Sequence, residues 1–454
     1  MRCKKVYNDI RRCFGIKDMK KKVFLSLFGL FFAAFVVGGL YLGFLSITQA
    51  DELSGAEGHG SWQLQLDMPI NVVSTTKNPP NWEEKERVNI LLLGIDRRPD
   101  EAGLPTRTDT MMVLTLDPYS NTAGMLSIPR DLWVPIKLND GSIMRERINT
   151  AHVYGELYNY PGGGPALAKA TVQYNFGITV HYYALLDFKG FEKIIDELGG
   201  ITIDLKKPLI DYEYPTDDYG TKRIYIPAGV QNLDGEKALW YARSRHQDSD
   251  IGRMKRQQEV IMAVRDKALR VNVLPKLPKL FTQLSSSIKT DLSISEIIKL
   301  AGIGKDIPEE NITGASIDLT YATPTITAQG ADVMVLKRDA VRQLIQEVFF
   351  DPRLREEEAT VEVLNNTRTP GLASKAAQYL QGEGIQRVTY GNATNEYSDG
   401  ETFIIDYSGK SYTCEFIASK LGIPKSKIKK SNDIFDSFDL RVVIGKDVTL
   451  PATP

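Results

Sequence analysis

The chain has 454 residues, enough for about three domains at roughly 150 residues each. Basic and acidic side chains number 56 and 57, but residues 1–22 hold nine basic and two acidic residues, which leaves a net charge of −8 on the rest. That charge excludes a surface that binds polyanions in general. The three cysteines, Cys3, Cys13 and Cys414, exclude a disulfide framework and a zinc site built from cysteines.

An uncharged run of 25 residues, 23–47, follows the basic N-terminal segment. As a helix it would span about 37 Å, which is long enough to cross a bilayer. Lysines and arginines precede the run, and Asp51 and Glu52 follow it. This pattern predicts a single-pass signal anchor in the cell membrane, with residues 1–22 cytoplasmic and residues 51–454 extracellular. A cleavable signal peptide is the alternative, although its apolar region usually has only about 7–15 residues.

The first exported residues, 48–87, are rich in glycine, serine, asparagine and proline and are predicted to form an extracellular linker. Strand-length apolar runs follow at 88–95, 111–117 and 123–128. Patterns of helices and further strands then alternate up to residue 269. This alternation predicts an α/β domain at 88–348, a mixed sheet with helices on both faces.

A charged segment, 349–360, is predicted to link this domain to a smaller one at 361–448, followed by a tail at 449–454. The smaller domain is predicted to have the element order βαββαβ. Its segments contain no cluster of histidines, cysteines or paired carboxylates, which favours a non-catalytic module. Cys414 lies in a helical pattern and is expected to be buried.

Two acidic residues stand at the ends of neighbouring apolar runs. Asp96 follows the first run, and Asp109 directly precedes the next. If the two strands are neighbours in the sheet, both carboxylates reach the crevice at its edge. Two carboxylates without a nearby His or Cys suit a hard cation, so the pattern predicts Mg²⁺, with Mn²⁺ as a substitute. Turn capping and surface salt bridges are the alternative interpretation.

A local excess of basic residues lies between positions 243 and 256. Asp248 and Asp250 oppose five basic side chains: Arg243, Arg245, Arg253, Lys255 and Arg256. Guanidinium groups bind phosphate oxygens in a bidentate manner, so the cluster indicates a site for a phosphate-containing ligand. A solvated basic face is the alternative. On the predicted helix, one stripe is basic at first and apolar further along: Arg253, Arg256, Gln257 and Val260.

Six ordered stretches within residues 88–270 resemble the LytR-CpsA-Psr family of cell-envelope glycopolymer transferases. They are NILLLGIDRR, RTDTMMVLTLD, SIPRDLWVPI, RINTAHVYG, FKGFEKIIDELGGITIDL and ARSRHQDSDIGRMKRQQ. The smaller domain is similar to the C-terminal domain of LytR-like members, mainly through VEVLNNT and the helical pattern after it.

The resemblance implies a reaction and a set of site residues. Family members transfer a glycosyl phosphate from a polyprenyl-pyrophosphate-linked glycan to a hydroxyl of a cell-wall acceptor, usually peptidoglycan, and release polyprenyl phosphate. By the resemblance, Asp96 and Asp109 hold Mg²⁺, while Asp250 orients Arg253 or serves as general base. The residues that the resemblance places around the pyrophosphate are Arg107, Arg130, Arg243, Arg245, Arg253 and Gln257. Within that set, Arg107 and Arg243 are also expected to be catalytic.

Two other functions are weighed against this transferase. A non-catalytic receptor for lipid-pyrophosphate glycans, or a regulator of glycan chain length, would use the same arginines without turnover. A transcriptional regulator is disfavoured, because 22 cytoplasmic residues are too few for a DNA-binding domain, and no nucleic-acid partner is expected. For the lipid of a transferase, we predict an apolar tunnel between the sheet and its helices, with the arginines at its mouth, because exposed polyprenyl surface would be costly in water.

Overall fold

The structure is a computed structural model that describes residues 86–96, 104–216, 218–245, 249–271, 287–394, 397, 400–431 and 437–448. The predicted membrane anchor at 23–47 and nearly all of the predicted linker at 48–87 lie outside these residues. In the part that is described, no helix is both long and apolar enough to cross a membrane. The chain divides into a first unit, Arg87–Val341, and a second unit that begins at Arg342.

Within the described residues, the first unit has fourteen strands and six helices. Its strands are β1 Val88–Ile95, β2 Thr108–Asp117, β3 Thr122–Ser127, β4 Trp133–Lys137, β5 Ile143–Arg147, β6 Tyr182–Asp187, β7 Ile201–Leu205, β8 Leu209–Pro215, β9 Thr221–Ile226, β10 Gly229–Leu233, β11 Ile288–Thr290, β12 Ile312–Ser316, β13 Ala322–Ile326 and β14 Asp332–Leu336. Its helices are α1 Thr150–Leu157, α2 Gly163–Phe176, α3 Phe188–Glu197, α4 Gly235–Arg243, α5 Asp250–Arg270 and α6 Ile294–Asp306, with a short 3₁₀ turn at Glu309–Asn311.

Six of these strands form one sheet in the order β11-β6-β1-β2-β3-β12. β1 is antiparallel to β2 and parallel to β6, and β3 is antiparallel to β2 and parallel to β12. The sheet is therefore mixed, as predicted. The remaining strands of the first unit form the two-stranded pairs β4-β5, β7-β10, β8-β9 and β13-β14.

β1 lies at the centre of the sheet and is buried on both faces. Successive residues Ile90, Leu91, Leu92 and Leu93 are all at most 3% exposed. Since neighbouring side chains of a strand point to opposite faces, other elements must cover both faces of the sheet. The continuous apolar run at 88–95 thus corresponds to a strand that is covered on both faces. The predicted α/β fold is confirmed.

Two helices that matter for the site, α3 and α4, begin at aspartates that cap their N-termini. The Asp187 side chain accepts a hydrogen bond from the backbone N–H of Gly190, and the Asp234 side chain accepts one from Lys237. The two helices meet at Gly235. A Cβ atom at this position would overlap the carbonyl oxygen of Glu192 in α3 and would lie 2.8 Å from its carbonyl carbon. Glycine therefore allows α4 to approach α3 this closely.

The second unit contains a five-stranded sheet, in the order β16-β15-β19-β17-β18. Its strands are β15 Thr360–Asn365, β16 Arg387–Asn392, β17 Phe403–Asp406, β18 Ile428–Lys430 and β19 Leu440–Ile444. Helix α7, Arg338–Phe349, crosses the boundary between the units, and α8 Pro352–Glu357, α9 Leu372–Gly382 and α10 Ser411–Lys420 follow it. The predicted order βαββαβ is confirmed, with β18 as one additional short strand.

Two details of the second unit bear on the predictions. The segment interpreted as a charged linker holds α8, because Asp351 caps this helix and Leu354 is buried. The many charged residues of this segment predicted a linker, but the buried side chain of Leu354 fixes a helix there. Cys414 is buried, as expected, and burial raises its pKa to about 12, so the thiol is not activated.

The close contact at Gly235 leads to a stability prediction. Gly235→Ala should lower the free energy of unfolding by about 1–3 kcal/mol, because a methyl group forces α3 and α4 apart. Gly302→Ala is the matched control, since a Cβ atom at Gly302 in α6 would meet nothing within 4 Å. The control should be neutral or stabilising by up to about 1 kcal/mol. Urea unfolding of both variants would measure this difference, and equal stabilities would contradict the packing described.

Candidate functional site

The two aspartates predicted to bind a cation lie next to each other at one edge of the main sheet. Asp96 directly follows β1, and Asp109 is the second residue of β2. The two strands are antiparallel neighbours in which Ile95 pairs with Thr108, after a register shift between Gly94 and Ile95. The end of one strand therefore adjoins the beginning of the other, which is the arrangement that the sequence predicted on the condition that the strands were neighbours.

A cavity of about 420 Å³ extends from this edge between the sheet and helices α3, α4 and α5. Its inner walls are apolar side chains from the sheet and from all three helices: Leu92, Met112, Leu186, Phe188, Phe191, Leu239, Val260 and Ile261. The space predicted for a lipid between the sheet and its helices is therefore open.

Four arginines line the same cavity from three elements. Arg243 ends α4, Arg245 follows it, Arg253 lies in the first turn of α5, and Arg130 follows β3. The side chains of Arg130 and Arg245 are 24% and 39% exposed, whereas wall residues such as Leu92 and Val260 are almost fully buried. Arg130 and Arg245 thus lie toward the solvent, whereas Arg253 and the apolar wall residues are buried.

Each of three arginines forms an ion pair with an aspartate. Arg243 Nη2 lies 2.5 Å from Asp96 Oδ2, and Arg253 Nη2 lies 2.6 Å from Asp250 Oδ1. Arg130 donates a hydrogen bond to the Asp109 carboxylate. Burial opposes the charge on Arg130, but the carboxylates of Asp109 and Asp131 outweigh it and raise its pKa.

Arg253 is the most buried of the four, with a side chain 4% exposed. Burial lowers its pKa to about 10, against the effect of Asp250, so the guanidinium stays charged at neutral pH. Its Nη1 donates to the Asp109 carbonyl oxygen at 2.9 Å, while its buried Nε has no hydrogen-bond partner. A buried donor without a partner is costly, and an anion in the cavity is one group that could satisfy it.

Residues outside the predicted set of site residues hold the arginines in place. Arg256 is buried and donates to the carbonyl oxygens of Tyr241 and Ser244, which ties α5 to the end of α4. The hydroxyl of Ser244, between Arg243 and Arg245, donates to Asp211 Oδ2 at 2.7 Å. Asp211 lies in β8, lines the cavity and is 1% exposed. The spacing of residues in the sequence did not indicate Asp211, because only the tertiary fold brings β8 to the site.

The predicted site residues fall into three groups. Seven line the cavity: Asp96, Asp109, Arg130, Arg243, Arg245, Arg253 and Gln257. Asp250 is not among the lining residues but contacts two that are, since its Oδ1 also lies 3.8 Å from Arg245 Nε. Arg107 is exposed and does not line the cavity. Gln257 donates to the Thr110 hydroxyl at 2.9 Å and to the Ala242 carbonyl oxygen at 3.2 Å.

The donor set at the sheet edge fits a hard cation that also binds substrate oxygens. Among the described residues, no group of three or more His, Cys, Asp or Glu side chains is arranged to hold a metal ion. Asp96 and Asp109 supply carboxylate oxygens only. A pair of carboxylates suits Mg²⁺, which typically keeps several waters and binds phosphates for its remaining positions.

Two family models match the chain. The model described as the LytR_cpsA_psr family matches residues 57–349, which is more than half of the chain. The model described as LytR cell envelope-related transcriptional attenuator matches residues 358–447.

Curated relatives are similar over half to two thirds of the chain. The polyisoprenyl-teichoic acid–peptidoglycan teichoic acid transferase TagV of Bacillus subtilis is 32% identical over 67% of this chain and 73% of its own length. The corresponding transferase TagU of Oceanobacillus iheyensis is 34% identical over 51% of this chain and 69% of its own length. The crystal structure of TagV from B. subtilis has 28% identity and a TM-score of 0.47, over 58% of this chain and 97% of its own.

The role of Arg256 can be tested separately from ligand binding. Arg256→Ala should lower the free energy of unfolding by about 3–5 kcal/mol, because it removes a buried charge-assisted network and leaves two carbonyl groups without their donor. Lys255→Ala, one residue earlier and exposed, should change it by less than about 0.5 kcal/mol. Chemical denaturation would measure both variants. A small loss in Arg256→Ala would show that this residue does not fix α5 to the end of α4.

Proposed function

The chain belongs to the LytR-CpsA-Psr family, and we propose that it is a phosphotransferase of the cell envelope. In this proposal it moves a glycopolymer phosphate from a polyprenyl-pyrophosphate carrier to a hydroxyl of a cell-wall acceptor, peptidoglycan, and releases polyprenyl phosphate. The names of the curated relatives, which are teichoic acid transferases acting on peptidoglycan, support this substrate class.

The observation that carries the proposal is one cavity with two chemically different parts. Its apolar interior suits a polyprenyl chain, whose transfer from water is favourable by about 25 cal/mol per Å² of apolar surface. Its charged opening carries four arginines and two carboxylates at the end of β1 and the start of β2. A lipid pyrophosphate likewise consists of an apolar chain joined to a charged pyrophosphate group.

We assign the arginines to binding of the pyrophosphate. We place the cell-wall acceptor on the solvent side of the cavity opening. The acceptor oxygen attacks the phosphorus that bears the glycan, and the bond between this phosphorus and the bridging oxygen breaks. The electron pair leaves with polyprenyl phosphate. Arg130, Arg243, Arg245 and Arg253 would neutralise the charge that develops on the phosphate oxygens, which is the main requirement of phosphoryl transfer.

The remaining roles concern the cation and the acceptor proton. Asp96 and Asp109 would hold Mg²⁺, which when bound would supply positive charge to the phosphate oxygens. Asp250 either orients Arg253, with which it forms a 2.6 Å ion pair, or accepts the proton of the acceptor hydroxyl. The role of Arg107 at the pyrophosphate stays a prediction, since this residue is exposed and outside the cavity lining.

We further propose that residues 23–47 anchor the protein in the cell membrane, with both units outside the cell. The support is the uncharged run between a basic and an acidic flank. Anchoring would keep the opening of the cavity near the surface where lipid-linked glycans are located. The second unit would act as a non-catalytic module, since every residue that lines the cavity belongs to the first unit.

An activity assay with matched arginine variants tests the assignment. Arg243→Ala should lower the rate of glycan transfer from a lipid pyrophosphate to peptidoglycan by about a hundredfold or more, because it removes charge stabilisation at the reacting phosphate. Arg223→Ala is the control, since Arg223 lies on β9, stacks on the Tyr212 ring and does not line the cavity. The control should retain wild-type rates. Undiminished transfer by Arg243→Ala would contradict the assignment of the arginines to the reacting pyrophosphate.

A further inference from the structure

A second cavity, of about 250 Å³, lies within the second unit. It shares no lining residue with the first cavity. Its walls come from α7, from α8 and the residues directly after it, from the segment that joins α9 to β16, and from the first turn of α10. The volume is just below the roughly 300–1,000 Å³ that is usual for ligand pockets, so the cavity suits a small ligand or one end of a larger one.

Hydrogen bonds tie the elements around this cavity to each other. The Glu357 carboxylate, at the end of α8, accepts hydrogen bonds from the backbone N–H and the hydroxyl of Thr413 in α10, at 2.7 and 2.6 Å. Gln386 Nε2 donates to Gln346 Oε1 at 3.1 Å, which connects the segment before β16 to α7. The cavity is therefore bounded by elements that the fold holds together.

Most of the lining is polar, and two of its charged side chains have no partner of opposite charge. Arg387 Nη2 lies 3.6 Å from Glu358 Oε2, so these two offset each other. Within the part of the chain that the structure describes, Arg355 and Glu347 form no ion pair. The Nε atom of Arg355 is buried there without a hydrogen-bond partner. A buried donor without a partner is costly, and a ligand carboxylate would satisfy it, while Glu347 would attract an ammonium group.

The glutamines of the lining suit a peptide group. They are Gln343, Gln346 and Gln386. Side-chain amides offer both donors and acceptors, which match the N–H and C=O groups of a peptide bond. The hydrogen bond between Gln346 and Gln386 uses only one donor and one acceptor of this set. A phosphate fits this lining less well, because the carboxylates of Glu347 and Glu358 would repel its negative charge.

We propose that this cavity is a binding site for a short zwitterionic peptide. Arg355 binds the carboxylate of the peptide, Glu347 binds its ammonium group, and the glutamines bind the peptide group between them. The site gives the second unit a binding function of its own. The inference goes beyond the proposed function and does not depend on it, since no residue of the first unit lines this cavity.

Calorimetric titration of the full chain with alanyl-alanine tests the site, together with ligands that each lack one feature. Alanyl-alanine amide lacks the carboxylate, N-acetyl-alanyl-alanine lacks the ammonium group, and alanine lacks the peptide group. For the wild type we expect the unmodified dipeptide to bind most tightly. The amide should bind about tenfold or more weakly, because it leaves the Arg355 guanidinium unsatisfied. The N-acetyl form should bind about two- to fivefold more weakly, since Glu347 is exposed and its charge is screened.

Two variants connect these preferences to the residues. Arg355→Gln should bind the dipeptide and its amide equally, and Glu347→Gln should bind the dipeptide and its N-acetyl form equally. Arg368→Gln and Glu356→Gln are the matched controls, since they change the same charges at exposed positions outside the lining, and both should bind like the wild type. Equal affinity of the wild type for all four ligands, tighter binding of inorganic phosphate, or the same loss of preference in the controls would overturn the proposal. Absence of dipeptide binding to the wild type would overturn it as well.

Discussion

The burial of β1 on both of its faces is the constraint on which the site depends. Because its apolar residues have no exposed side, the first charged side chain after the strand begins lies where the strand ends, at Asp96. The strand is paired on both edges, so the ends of its neighbours meet it there and bring Asp109 from β2 and Asp187 from β6. Helices α4 and α5 bring Arg243 and Arg253 to the same cavity, and Arg243 forms an ion pair with Asp96. A fully apolar strand thus determines where the charged site lies.

The cavity is too large to be a packing defect. If it were an enclosed, dry void, 420 Å³ at roughly 24 cal/mol per Å³ would cost about 10 kcal/mol, as much as the whole stability of many domains. An opening lined by arginines and aspartates removes that difficulty, because solvent or a ligand can enter. Gly235 allows the close approach of α3 and α4, the helices that contribute the wall residues Phe188, Phe191 and Leu239.

Local sequence patterns predicted the strands and helices that carry the site but not every contact within it. The carboxylates were found because Asp96 and Asp109 lie at the ends of apolar runs. Helical spacing grouped Arg256 with Arg253, yet Arg256 lies about 60° around the helix and points to the carbonyl groups of α4. Gln257 and Val260 lie within about 40° of Arg253 and do line the cavity. Asp211 could not be predicted, since its partner Ser244 is 33 residues away on another element.

The identity of the lipid product tests the central claim most directly. The full chain, reconstituted in vesicles with a polyprenyl-pyrophosphate-linked glycan, Mg²⁺ and peptidoglycan, should release polyprenyl monophosphate, one molecule for each glycan attached. Mass spectrometry of the extracted lipid distinguishes it from the diphosphate. Polyprenyl diphosphate as the product would mean that the bond to the sugar breaks instead of the bond between the phosphates, and it would contradict the assignment of the arginines to a reacting pyrophosphate. Binding of the carrier without any lipid product would contradict catalysis and favour a receptor.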